Sequence, residues 1–255
     1  MSSGGEIRVL PVHGLPEIEA GAKLGTLIAA RTDLLDGDVL VIAQKVVSKA
    51  EGRVRGLSEV EPGEEARRLA ANLDKDPALV QLILRESNEV LRAERGVLIT
   101  ETHHGFVCAN AGIDSSNLPE AGTVCLLPLD PDASARSLRA EITNAIPGEP
   151  TTNIAIVIAD SFGRAWRLGQ AEVAIGCAGL RPLDDWRGQA DSHGRALEAT
   201  LIAIADEAAA AADLVRAKDS GVPAVIVRGL KRYVTAEDGP GATSLRRPQD
   251  EDLFR

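Results

Sequence analysis

Four stretches of the 255-residue chain carry side chains whose types and spacing could do chemistry. The first, Asp160-Ser161-Phe162-Gly163-Arg164-Ala165-Trp166-Arg167-Leu168-Gly169-Gln170, directly follows the apolar run 154–159. A carboxylate at the C-terminal end of a buried strand, with a hydroxyl beside it, offers hard oxygen ligands of the kind that hold magnesium. Arg164 and Arg167 are expected to face the same crevice. In the second stretch, His103 to Asn117, Asp114 and Asn117 lie three apart in a Gly/Ser-rich turn. That pairing suits a hard cation and the polar edge of a nucleotide, and an Asx-turn that merely closes the loop would use the same residues. The adjacent His103 and His104 point to opposite faces if they lie on a strand, which argues against one shared zinc. The third stretch, Gln44 to Arg53, spaces Lys45, Lys49 and Arg53 by four and adds Arg55, a positive patch able to meet phosphate. A charged surface helix balanced by Glu51 is the competing reading. The fourth is Gly14-Leu15-Pro16-Glu17-Ile18, a turn that could present backbone amides to a base or phosphate, or could be an ordinary turn.

Positioning these groups requires a scaffold, and its periodicity is mixed. Short β-branched runs at 7–12, 39–42, 97–100, 124–127, 154–158 and 224–227 predict strands. Helical spacing predicts helices over 22–30, 64–73, 77–86, 134–146 and 194–218. Asp132 or Ser134 is expected to cap the fourth of these. In the last, Leu197, Leu201, Ile204, Ala208, Ala211 and Val215 form one apolar stripe, which places Asp206 and Asp213 on the opposite face and Glu207 at its border. The run Ala208 to Ala212 keeps that surface thin enough for close approach of a helix or ligand. The expected fold class is α+β, one module over 1–255, with a division into two subdomains left open and a mobile tail over 236–255.

Composition narrows the function classes. Apolar residues make up 44% and charged residues 26%, a balance that supports a packed core. The formal charge of −10 repels nucleic acid and anionic membrane, and with 2% aromatics there is no stacking platform for single strands, so neither partner is expected. No apolar run reaches the ~20 residues of a membrane helix, and no signal-peptide pattern precedes Glu6, so a cytoplasmic location is expected. Cys108, Cys125 and Cys177 match neither a CxxC pair nor a zinc spacing and read as buried thiols. Neither a Walker loop nor a GxGxxG occurs, so a bound nucleotide would need another scaffold.

Taken together the stretches resemble the coenzyme F420-0 gamma-glutamyl ligase family. The similarity is carried by Gly14 to Ile18, Asp36-Gly37-Asp38, Lys45 to Arg53, Glu86-Ser87, Gly105 to Asn117, Leu127 to Ala135 and Asp160 to Gln170. It continues through Ala174-Ile175-Gly176, Asp184, Gly188, Asp191, Gly194-Arg195, Ala205-Asp206-Glu207 and Pro223 to Gly229. The resemblance implies a gamma-glutamyl ligase type fold in an intertwined homodimer. It also implies a GTP-dependent enzyme that adds L-glutamate to the coenzyme F420 precursor with Mg2+ or Mn2+, K+ being a further option. On that basis Leu15, Pro16, Glu17, Ile18, Gln44, Lys49 and Asn117 are expected to hold the nucleotide, and Asp114, Asp160, Ser161 and Glu207 the metal. Many relatives have Thr at the position of Ser161 and Pro at that of Ala165; the hydroxyl and the arginines survive here. The flavin-binding domain that follows this module in some actinobacterial relatives is not expected.

The implied chemistry gives these residue types a reason. A carboxylate does not condense with an amine in water and must first become an acyl phosphate, so charge neutralisation between two anions is the main task. No side-chain nucleophile is required. Two other readings stay open on the residues alone: a nucleotide- or deazaflavin-binding module without catalysis, and a metal-dependent phosphohydrolase.

Overall fold

A computed structural model describes residues 5–116, 118, 120–145, 152–217 and 219–253, so the candidate Asn117 lies outside the described residues, as do positions 146 and 218 of the expected helices. The described chain begins with β1 (Arg8–Val12), α1 (Leu24–Ala29), β2 (Val39–Ala43), α2 (Gln44–Ala50) and β3 (Val54–Gly56). A second group follows: α3 (Glu64–Leu73), α4 (Pro77–Arg85), β4 (Ser87–Glu94), β5 (Val97–Thr102), β6 (Val107–Ala109) and β7 (Thr123–Cys125). The rest comprises α5 (Pro131–Ala145), β8 (Ala155–Arg164), β9 (Arg167–Ala178), β10 (Leu183–Asp185), β11 (Leu201–Ala203), α6 (Ile204–Asp213) and β12 (Ala224–Arg228). The fold is mixed α+β. None of the described helices is long and apolar enough to cross a membrane.

A five-stranded sheet in the order β1-β12-β2-β8-β9 forms the centre, with β2 and β8 parallel and the other neighbours antiparallel. Side chains alternate across it, as the period of two requires. Leu40, Ile42, Ile156, Ile158 and Ile226 pack with Ile28 of α1 and Leu138 and Ile142 of α5. Val39, Val41, Ala155, Val157, Val225 and Val227 face the other way, onto Ile204, Ala205, Ala208, Ala209 and Ala212 of α6. The smaller residues gather on the α6 side, so the thin alanine surface lets helix and sheet approach closely. Outside the sheet, α3 and α4 pack with β4 and β5 around Leu69, Val80, Ile83 and Leu98.

Several expectations differ from the structure. The helix expected over 194–218 runs only from Ile204 to Asp213, because residues 201–203 pair with β10 and the Leu197 backbone bonds to Gly188 and Gln189, which overrides the spacing of Leu197 and Leu201. The buried arc of α6 therefore centres between Ala205 and Ala208, not on Ile204. Asp206 is half-buried and accepts the Ala174 amide at 2.9 Å, while Glu207 is exposed. The histidine pair lies in a turn after β5, with His103 bonded to Arg85 and Asn88 and His104 to Pro128. Asp130 caps α5 through the Ala133 amide. Of the two expected caps, Ser134 turns its hydroxyl to Glu51 and the Asp130 carbonyl, and Asp132 accepts from Cys177, Ala242 and Thr243. That last contact anchors part of the tail expected to be mobile: Ala242 is fully buried and Asp238 pairs with Arg139. The three thiols are buried and unpaired as expected, and burial pushes those of Cys108 and Cys177 up to about 12, which leaves them unreactive.

Candidate functional site

The parallel pair β2–β8 ends at the register Ala43↔Ala159, and the groups with chemistry leave the sheet at that edge. From β2 the chain enters α2 at once, which puts Gln44, Lys45 and Lys49 above the strand end. From β8 it continues into Asp160 and Ser161. This is where open sheets with parallel strands place ligands. A bulge at Ile175 in β9, between the pairs Ile158↔Gly176 and Ala159↔Ala174, twists the β8–β9 ribbon as it leaves the sheet. No side chain fits at Gly176, where a Cβ would run into the Pro131 carbonyl.

A cleft of about 440 Å³ opens there. Leu15, Pro16, Glu17 and Ile18 form one rim; the loop is seated by buried Ile18 and by Arg31, whose Nε donates to the Gly14 carbonyl at 2.7 Å. Gln44, Lys45 and Lys49 form the α2 wall, Asp114, Asp160, Ser161 and Glu172 the floor, and Asp213, Arg216 and Asp219 the far side. Thus Leu15, Pro16, Glu17, Ile18, Gln44, Lys49, Asp114, Asp160 and Ser161, nominated from the sequence, share one cavity. Glu207 does not line it. Nor do Arg164 and Arg167, because β8 runs four residues past Asp160 and carries them to the exposed end of the hairpin. Arg53 also leaves the expected patch, pairing with Glu86 at 2.6 Å and the Leu127 carbonyl at 2.8 Å.

The remaining ammonium groups are each matched by a carboxylate. Lys45 Nζ lies 2.7 Å from Asp114 Oδ2, and Lys49 Nζ lies 2.5 Å from Glu17 Oε1. Gln44 is fully buried and turns its amide to Ser48 at 2.6 Å and the Leu126 carbonyl at 3.0 Å. Burial pushes the Asp114 carboxyl up, but hydrogen bonds from Lys45 and Ser116 outweigh it and hold the group below its ordinary range. Asp160 differs. Burial, opposed by the Ser161 amide and reinforced by the nearby Glu172 and Asp114, raises its carboxyl to about 7.

Two groups missed by sequence reasoning, Glu172 and Arg216, complete the lining. Ser161 and Glu172 face each other across the β8–β9 register, and Ser161 Oγ donates to Glu172 Oε1 at 2.8 Å. Arg216 Nη2 donates to Glu172 Oε2 at 3.1 Å, and both of these charged side chains are less than 10% exposed.

Residues 14–229 match the family described as F420-0:gamma-glutamyl ligase. The chain belongs to that family. Among proteins similar to it, the coenzyme F420:L-glutamate ligase of Methanothermobacter thermautotrophicus is 45% identical over 255 residues, covering 98% of this chain and 99% of the relative. Those of Methanopyrus kandleri and Archaeoglobus fulgidus are each 43% identical, covering 98% of this chain and 98% and 96% of the relatives. The oxygen donors of Asp114, Asp160 and Ser161 fit a hard divalent cation, whose charge would offset the burial and the neighbouring carboxylates that raise Asp160. Among the described residues no three His, Cys, Asp or Glu side chains form a cage on their own, so a cation held there would complete its shell from the hydroxyl, water or substrate oxygens.

Proposed function

We propose that this chain is a GTP-dependent ligase that joins L-glutamate to the carboxylate end of the coenzyme F420 precursor. The observation that carries the proposal is the convergence, in one cleft at the end of the parallel pair, of the 15–18 loop, Lys49, Asp114, Asp160 and Ser161. The names of the relatives, all coenzyme F420:L-glutamate ligases, supply the reaction class.

In this reading the 15–18 loop and Gln44 border the guanine nucleotide, and Lys49 leaves Glu17 to meet its phosphates. Asn117 is assigned to the nucleotide by resemblance alone. Asp114, Asp160 and Ser161 would hold Mg2+ or Mn2+, which when bound offsets the phosphate charge. The precursor carboxylate attacks the γ-phosphorus and GDP leaves; the glutamate amine then attacks the acyl carbon and inorganic phosphate leaves. We further propose a homodimer. The β8–β9 hairpin supports that reading, since its Trp166 and Leu168 are 82% and 97% exposed beyond the edge of the sheet.

Mass spectrometry of products from purified protein, GTP, Mn2+, L-glutamate and precursor is the test. A mass gain of one or more glutamyl units that requires GTP is expected. Phosphate release without an amine acceptor would make the protein a phosphohydrolase, and ligand binding without turnover would make it a binding module.

A further inference from the structure

Arg216 has no task in the mechanism above, yet it lines the cleft with a side chain that is 9% exposed. One of its nitrogens, Nη2, is engaged by Glu172. Its Nε and Nη1 are buried and have no hydrogen-bond partner among the described residues. A guanidinium carries five N–H donors in a fixed fork, and buried donors left without an acceptor are rare in native folds, the more so on a charged group. The residue sits just past the end of α6 and lines the cleft together with Asp219, Gly221, Val222 and Pro223, so a rotation of its terminal torsions that turned the unfilled edge outward would meet the cavity.

A planar oxyanion is the ligand that such a fork matches. We propose that Arg216 binds an oxyanion of the substrates, with Glu172 as the positioning residue that holds the guanidinium at the cleft wall. Two sources share this chemistry, the carboxylate of L-glutamate and a phosphate of the nucleotide. The surroundings favour the amino acid. Asp213 and Asp219, three residues before and three after the arginine, line the cleft with it. That acidic rim repels a polyphosphate and suits a zwitterion, whose ammonium group the carboxylates accept while its own carboxylate takes the arginine. The identity of the ligand rests on the ligase reading; the role of Arg216 as an oxyanion anchor does not.

The test is calorimetric titration of the full chain with L-glutamate in the presence of GDP and Mn2+, and separately with GTP and with inorganic phosphate. Wild type is compared with Arg216→Lys, Arg216→Met and the double variant Glu172→Gln/Arg216→Met. The double variant removes both buried charges together, so it avoids the stranded carboxylate that could unfold the single one. Glutamate affinity is expected to fall about 10-fold in Arg216→Lys and up to about 100-fold in the two methionine variants, with GTP affinity unchanged within about twofold. Weakening of GTP and phosphate instead upholds the anchor and moves it to the nucleotide. Unchanged affinity for all three in a folded double variant overturns the proposal, as does a wild-type chain that binds none of them. A wild type that binds glutamate through Arg216 but makes no glutamylated product overturns the ligase reading alone.

Discussion

On the α2 wall of the cleft Lys45 has Asp114 and Lys49 has Glu17, each within 2.7 Å. Along the floor and the far side Asp160, Glu172, Asp213 and Asp219 line the cavity with Arg216, which is already committed in part to Glu172. The first wall is neutral before any ligand arrives, and binding there means exchanging one partner for another. The second is short of positive charge in the protein alone, so it gains most from a cation or a zwitterion supplied from outside. The two aspartates show the contrast directly: hydrogen bonds from Lys45 and Ser116 overcome burial at Asp114, whereas burial and neighbouring carboxylates raise Asp160 to about 7.

The sharpest way to break this contrast is Asp160→Asn. Removing a ligand of a cation that offsets phosphate charge is expected to lower turnover by about 1000-fold or more, since such a cation supplies several kcal/mol to the transition state. The same change is expected to raise the melting temperature of the metal-free protein at pH 8. The sign follows from linkage: a carboxyl whose folded value lies above its unfolded one costs stability as pH rises from about 4 to about 7, and that cost is complete above it. Asp114→Asn should behave oppositely in stability, because it strands Lys45. Paired turnover assays and thermal melts decide; a melting temperature that falls in Asp160→Asn refutes the picture of a carboxylate under strain.

On the other wall Lys49→Ala is expected to weaken GTP binding by about 10- to 100-fold, the range for hydrogen bonds to a charged group. The defect should grow at low ionic strength, where the wild type gains most from charge. Calorimetry at two salt concentrations measures it. Equal affinity in both proteins would leave Lys49 as the structural partner of Glu17 and nothing more.

Proton competition separates the walls at the next level. Mn2+ must displace the proton of Asp160, so its affinity is expected to fall by up to about tenfold per pH unit below 7 and to level off above it. Asp114, already ionised, adds no dependence in that window. Titrations from pH 5.5 to 8 test this, with Asp160→Asn as the flat reference; a flat wild-type profile shows that Asp160 does not ligate.

How far these features could be read from the chain depends on the length scale that creates them. Asp160, Ser161 and Asp114 were legible because each interrupts a local pattern, an apolar strand in one case and a Gly/Ser turn in the other. The alternation of β2, β8 and β12 was equally local, and those strands fall where the β-branched runs predict. Glu172 and Arg216 were not legible. Their places depend on the register of a hairpin, which sets Glu172 opposite Ser161, and on a contact 44 residues apart in sequence. Arg164 and Arg167 were misjudged because nothing in the sequence marks how far a strand runs past the edge of its sheet. The helix over 194–218 failed because the four-residue spacing of Leu197 and Leu201 lost to backbone bonds, of Leu197 to Gly188 and Gln189 and of Leu201 to β10, and with it went the orientation of the acidic residues on α6.

That last reversal gives the smallest expected effect and the most direct check on the geometry. The sequence pattern puts Glu207 at the packed border of its helix, and the family resemblance makes it a metal ligand. In the structure it is exposed and does not border the cleft, while its neighbour Asp206 is tied to the Ala174 amide. An exposed side chain remote from the site contributes within about 0.5 kcal/mol, so Glu207→Ala is expected to change Mn2+ affinity and turnover by about twofold or less. Asp160→Asn, measured in the same assay, supplies the scale. A loss of tenfold or more in Glu207→Ala would mean that α6 turns or that a second subunit brings this carboxylate to a site, and the acidic wall would then have to be redrawn with Glu207 in it.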